Sequence, residues 1–157
     1  MHPRIPPFDY QRQDSPLTLS EGLEEYYTGH IGRVARPHGL PPESYDLFRN
    51  HDFCHVIFGL DTTLDDEVLA DVRTLIACDV GFRGYIAYLA KDRQAQSLFK
   101  EIGYLRSTRV TLMAIPRICR AVLESWRMKR RWPWTPPESF QRRSLADLRR
   151  EFGIRVI

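Results

Sequence analysis

Long apolar runs are missing from this chain. No stretch reaches the roughly 18 uncharged apolar residues that a membrane-crossing helix needs. The best stretch, residues 110–115, is far too short. Any contact with a membrane is therefore expected to be peripheral. The start of the chain carries Pro3, Pro6, Pro7 and Pro16 among charged residues. A secretory leader needs an unbroken apolar segment instead, so a cytoplasmic location is the expectation. Cysteine is scarce. Cys54, Cys78 and Cys119 fit neither a zinc knuckle nor a paired disulfide framework, and reduced, buried thiols are expected. There is no internal repeat, and no alternation of apolar and polar residues is long enough to make a strand. These absences leave an all-α fold, an antiparallel helical bundle.

The 157 residues suffice for one domain with a real core. The net charge of +3 conceals an asymmetry. Residues 1–104 hold 10 Lys/Arg against 16 Asp/Glu, whereas residues 105–157 hold 13 against 4. A basic C-terminal third suits an anionic partner, or else is a solvated face. Trp126, Trp132 and Trp134 lie among Arg127, Lys129, Arg130 and Arg131. Tryptophan interleaved with cations suits the headgroup layer of a membrane surface. No recognised binding motif accompanies the charge, so nucleic acid is not expected as a partner.

Helix signals follow one another along the chain. Residues 1–17 read as an irregular arm and 18–157 as a single helical domain. Thr18 and Glu21 form a capping box for a helix over residues 19–30. Pro42 fits the first turn of a second helix, and Gly59 ends it. Thr63 caps a third, with Asp65, Asp66 and Glu67 in its first turn and Val68, Val72, Leu75 and Ile76 as its apolar stripe. The short connection between them predicts antiparallel neighbours. Gly81 and Gly84 suggest a break before a buried segment, residues 85–90. Residues 92–103 read as amphipathic helix. Residues 108–130 read as a long helix kinked at Pro116. After a rigid Trp-Pro-Trp loop, Ser144, Asp147 and Gly153 delimit a last helix.

The most specific chemistry lies at His51-Asp52-Phe53-Cys54-His55, followed by eleven residues and Glu67. Side chains at i and i+4 share a helix face, so His51 and His55 project together. Cys54 points away from that face. Glu67, near the start of the antiparallel partner helix, can reach back across the Gly59 turn. Two imidazoles and one or two carboxylates make a divalent-metal site. A buried histidine–carboxylate hydrogen-bond network is the other reading. Asp71, one turn beyond Glu67, is a candidate to orient a ligating histidine. A residue so placed more often forms a surface ion pair, here with Arg73 or Arg49. The pattern is not a zincin motif, in which a glutamate follows the first histidine. A phosphohydrolase arrangement would recruit His30 or His38 and Asp71 or Asp79.

The string His51-Asp52-x-x-His55, eleven residues, Glu67 resembles the signature of a coenzyme Q (ubiquinone) biosynthesis family, that of the fourth yeast coenzyme Q protein. His55-Val56-Ile57-x-Gly59-x-x-Thr62, Glu67-Val68 and the closing Leu145-x-x-Leu148-Arg149-x-x-Phe152-Gly153-Ile154 extend the resemblance over roughly residues 18–157. The resemblance implies an all-helical, peripheral membrane protein in which His51, Asp52, His55 and Glu67 bind a divalent metal ion, zinc first. Implied partners are a polyprenyl quinone precursor or another isoprenoid lipid, and other quinone-biosynthesis proteins. The implied chemistry is oxidative decarboxylation at ring carbon 1 of a polyprenylated 4-hydroxybenzoate-derived precursor, a lyase-type reaction. The alternative is a lipid-binding scaffold without catalysis. No residue is singled out as catalytic, and a homodimer stays open. The chain is shorter than typical members. Arg49, Asp66 and Gln141-Arg142 stand where the family commonly has an acidic residue, a glycine and a Trp-Glu pair.

Overall fold

A computed structural model describes residues 7–34, 36–37, 39, 41–91 and 104–157. Among the described residues every regular element is helical: α1 (Leu19–Gly29), α2 (Pro42–Phe58), α3 (Leu64–Ala77), α4 (Gly81–Lys91), α5 (Tyr104–Trp126), α6 (Glu138–Gln141) and α7 (Leu145–Phe152). The expected all-α class is what the chain adopts. The helix expected over residues 92–103 lies outside the described residues, as does His38.

Local signals set most helix ends. The Thr18 hydroxyl accepts the Glu21 N–H at 3.2 Å, and the Glu21 carboxylate accepts the Thr18 N–H at 2.8 Å. Pro42 occupies the first turn of α2, where its missing N–H costs nothing. Gly59 ends α2 in the left-handed region at φ 69°, and the Leu60 N–H returns to the His55 carbonyl at 2.8 Å. The Thr63 hydroxyl then accepts the Asp66 N–H at 3.3 Å and starts α3. A Cβ at position 59 would also lie 2.7 Å from a Val156 methyl. Gly59→Ala is therefore expected to cost about 1–2 kcal/mol from conformation alone, read as a lower thermal midpoint.

Burial follows from what α3 touches. It packs against α2, α4 and, most extensively, α5. Its buried positions are Asp66, Leu69, Ala70, Arg73, Thr74 and Ala77. The expected stripe of Val68, Val72, Leu75 and Ile76 is only half-buried. A helix with neighbours on several sides cannot bury one simple stripe. The expected break at Gly81 and Gly84 is instead the start of α4, with Gly81 at φ 65°. Of the described side chains at 85–87, only Tyr85 is buried. Pro116 sits within α5, which starts at Tyr104 and stops at Trp126, four residues before the expected end.

The arm before α1 is irregular but packed. Tyr10 is fully buried, and its hydroxyl donates to the Leu60 carbonyl at 2.9 Å. The Glu25 carboxylate accepts the N–H groups of Asp9 and Tyr10 at 3.0 and 2.7 Å. The start of α7 bonds to this arm through Leu145 N–H to Leu17 at 2.7 Å and Ala146 N–H to Ser15 at 3.0 Å.

Two of the three tryptophans correct the headgroup expectation. Trp132 is fully buried, with its ring 5.7 Å from Phe140 and 5.1 Å from Phe152. Its backbone is bonded on both sides, to Ala77 at 2.8 Å and Asp79 at 3.0 Å. Trp134 is buried edge-on against Tyr85 at 5.7 Å. Neither ring reaches a membrane surface. Trp126 stays 73% exposed, and Arg127, Lys129, Arg130 and Arg131 are exposed beside it. Arg127 pairs with Glu124 at 2.9 Å, and Arg130 with Glu151. No helix among the described residues is long and apolar enough to cross a membrane. The cysteine expectation needs a correction as well. Cys54 and Cys78 are buried with their sulfurs 3.7 Å apart, but Cys119 is exposed.

Candidate metal centre

The α2–α3 hairpin sets two i, i+4 pairs opposite each other, His51 and His55 on α2, Glu67 and Asp71 on α3. His55 Nε2 lies 3.4 Å from Glu67 Oε2, and His51 Nε2 lies 3.6 Å from Asp71 Oδ1. One ligand atom from each of His51, His55 and Glu67 falls within 4.8 Å of the others. These three can hold a metal ion.

Exposure is graded across the group. The side chain of His55 is fully buried, that of His51 19% exposed and that of Glu67 41% exposed. Neither ring nitrogen of His55 makes a hydrogen bond of good geometry, and the nearest partner is the Glu67 carboxylate, 3.4 Å from Nε2. A buried polar atom left unpaired costs about 1–3 kcal/mol. The ring is held by packing, stacked on Tyr26 at 5.3 Å and edge-on to His51 at 4.9 Å. An imidazole fixed in place with idle nitrogens and a carboxylate at hand fits a cation.

Asp71 does not form the surface ion pair expected with Arg73 or Arg49. It faces His51 and accepts the Tyr85 hydroxyl at 2.6 Å. Residues 71 and 73 point to nearly opposite sides of a helix. Arg73 lies 5.0 Å over Phe58 and donates to the Arg155 carbonyl at 3.0 Å, while Arg49 lies 5.0 Å over Phe53. Asp71 thus lies beside His51, its Oδ1 3.6 Å from the ring Nε2.

Asp52 is outside the three-residue group. It is buried, and its Oδ2 accepts the Tyr27 hydroxyl at 2.8 Å. His30 and Asp79, the other histidine and aspartate a phosphohydrolase would use, are engaged elsewhere. His30 bridges Asp61 at 2.7 Å and the Tyr26 carbonyl at 2.8 Å. Asp79 accepts the Trp134 N–H at 2.8 Å.

The charges are mutually adjusted. Burial alone would lower the His51 pKa, but the bond to Asp71 and the charges of Asp71, Glu67 and Asp52 raise it to about 9. Burial acts upward on Glu67 and Asp71, yet their histidine neighbours hold both below the usual carboxylate range. Asp52 is pushed up to about 6, chiefly by burial. Burial, then Asp52, keeps the Tyr27 phenol protonated as the donor.

Tyr26, Tyr27 and Tyr85 had no signal in the motif. They come from α1 and α4, and only tertiary packing brings them to it. Two nitrogens and one oxygen suit zinc, iron or manganese alike, so the donor set does not select the metal. Comparison with known proteins adds no constraint: no family model, curated protein or solved structure matches the chain.

Proposed function

We propose that the chain is a metal-dependent protein of polyprenyl quinone biosynthesis, with its ion held by His51, His55 and Glu67, while Asp52, the motif's fourth residue, stays on the Tyr27 hydroxyl outside that group. The observation that carries this reading is the convergence of those three donors around a buried histidine whose ring nitrogens make no hydrogen bond. The substrate class rests on the resemblance of the string His51-Asp52-x-x-His55, eleven residues, Glu67 to the coenzyme Q family signature. A divalent cation bound there would polarise a carboxylate or phenolate oxygen as a Lewis acid. His51 is oriented by Asp71, which Tyr85 holds in turn. The exposure of Glu67 leaves its side of the group reachable, as an open coordination position requires. Peripheral membrane contact and zinc as the ion belong to the same proposal, with Trp126 as the exposed aromatic of the basic end.

Mass spectrometry of metal and lipid retained by the purified protein tests the reading. About one equivalent of a divalent ion and a polyprenylated aromatic are expected. Loss of CO2 from a polyprenylated hydroxybenzoate on the metal-loaded protein would mark an enzyme rather than a scaffold. A protein without metal, or one turning over phosphate esters, sinks the reading.

Metal uptake should also follow pH. Ligation needs a neutral imidazole, so the metal competes with the proton that His51 keeps up to about pH 9. With one proton displaced, apparent zinc affinity should rise about tenfold per pH unit between pH 7 and 8. Calorimetry in buffers of different ionisation enthalpy should register that proton's release. A flat pH profile would remove His51 from the ligand set.

A further inference from the structure

A cleft of about 250 Å³ lies over the ring of Tyr27, between α1 and α2. Its walls include Leu23, Glu24, Tyr27, Arg36, Tyr45 and Arg49. Two cations and one carboxylate face it. Arg36 pairs with Glu24, and its guanidinium lies 5.0 Å over the Tyr27 ring. That pair is neutral overall. Arg49 is left over. Its guanidinium is 5.0 Å from the Phe53 ring centroid, and it forms no ion pair among the described residues. A half-buried guanidinium without an anion gains from one. The remaining walls are Leu23, Pro37 and the rings of Tyr27 and Tyr45, with the polar side chains of Ser20 and Gln141 at the edge of the lining, and the volume admits only a small ligand.

We propose that this cleft binds a small aromatic carboxylate, with Arg49 holding the carboxylate and Tyr27 and Tyr45 flanking the ring. The planar fork of arginine matches a carboxylate through two parallel hydrogen bonds, which lysine cannot reproduce. Phosphate suits the cleft less well, because a single uncommitted cation faces it, too little charge for a dianion, while the Tyr27 and Tyr45 rings offer a planar ligand surface that phosphate cannot use. Tyr27 gives the cleft a link to the interior, since it lines the cleft and its hydroxyl donates to Asp52. The proposal stands on the cleft's own lining and does not require the metal reading.

The test is titration of the full-length chain with benzoate, benzyl alcohol and inorganic phosphate, followed by calorimetry. Saturable 1:1 binding of benzoate is expected, with benzyl alcohol at least about tenfold weaker because it forfeits the charged pair. Arg49→Gln should weaken benzoate by at least about tenfold, and Arg49→Lys by less, with zinc content unchanged in both. A His55→Leu variant separates the two carboxylate-binding places. Benzoate binding that survives Arg49→Gln but vanishes in His55→Leu puts the ligand on the metal and overturns the proposal. So does phosphate binding tighter than benzoate, or no saturable benzoate binding at all. If Arg49→Gln does not fold, the ordering of wild type, Arg49→Lys and benzyl alcohol decides the matter.

Discussion

Replacing Arg149 with methionine is expected to remove about 4 kcal/mol of folding stability, a large share of the 5–15 kcal/mol typical of a domain. Arg149 is fully buried and forms no ion pair with a carboxylate among the described residues. Its partners are four backbone carbonyls. The Nε–H donates to Ile57 at 2.8 Å, and Nη2 donates to Tyr10 at 2.6 Å and Val56 at 2.8 Å. Nη1 donates to the Arg12 carbonyl. Val56 and Ile57 lie in the last turn of α2, where the Val56 carbonyl has only the long 3.2 Å bond from the Gly59 N–H and the dipole favours a cation. Tyr10 and Arg12 belong to the N-terminal arm. One guanidinium therefore joins α7, the end of α2 and the arm. Burial lowers its pKa to about 10, which still leaves it charged at neutral pH. Methionine fills much of the space but strands several buried acceptors at about 1–3 kcal/mol each, and the losses will not simply add. With a urea slope of about 2 kcal/mol per M, the midpoint should fall by about 2 M. Lysine should recover part of this, because it supplies charge without the fork. An unchanged midpoint would show that water serves those carbonyls equally well. The clamp closes on the residues directly after His55, so loosening it should weaken metal retention too.

That arginine also shows where sequence reasoning stops. Ser144, Asp147 and Gly153 mark the ends of α7 because caps are local. The Thr18 box, Gly59 and Thr63 were legible for the same reason. The three-donor group was legible because i, i+4 spacing fixes a face and a one-glycine turn fixes an antiparallel partner. Helix periodicity sets Arg149 beside Leu145 and Phe152 and turns Arg150 away, but it does not say what a guanidinium on the apolar face would bind. Its partners are carbonyls more than 90 residues away. Trp132 and Trp134 fail in the opposite sense. Tryptophans among arginines look interfacial, but here the rings fill the space between α3, α4 and α7 while the cations turn outward. For Asp71 the sequence left two readings open, because Tyr85, which donates to it, arrives on a helix whose start resembled a break.

The largest functional effect is expected from His55, and the direction of the accompanying stability change separates a metal centre from a structural network. His55→Leu removes two ring nitrogens that are buried and without hydrogen bonds, and keeps most of the volume packed against Tyr26. If the histidine is there to bind metal, the metal-free variant should be no less stable than the metal-free parent, and more stable by about 1 kcal/mol. Glu67, 41% exposed, stays solvated after the change. Metal retention should collapse by more than the roughly 100-fold typical of losing an outer-sphere partner, because an inner ligand is gone. Stabilisation by added zinc disappears with it. At a zinc concentration about 1,000 times the parent's Kd, that stabilisation is about 4 kcal/mol. Glu67→Ala should lose the metal in the same way, and Asp71→Asn should weaken it by about 10–100-fold while leaving the stoichiometry intact. Thermal melts with zinc and with chelator, paired with metal analysis, read all three variants. If His55→Leu instead weakens the metal-free fold by several kcal/mol and zinc leaves the parent's melting point unchanged, the two histidines and their carboxylates are a buried structural network. In that outcome the His51–Asp71 and His55–Glu67 contacts are ion pairs joining α2 to α3.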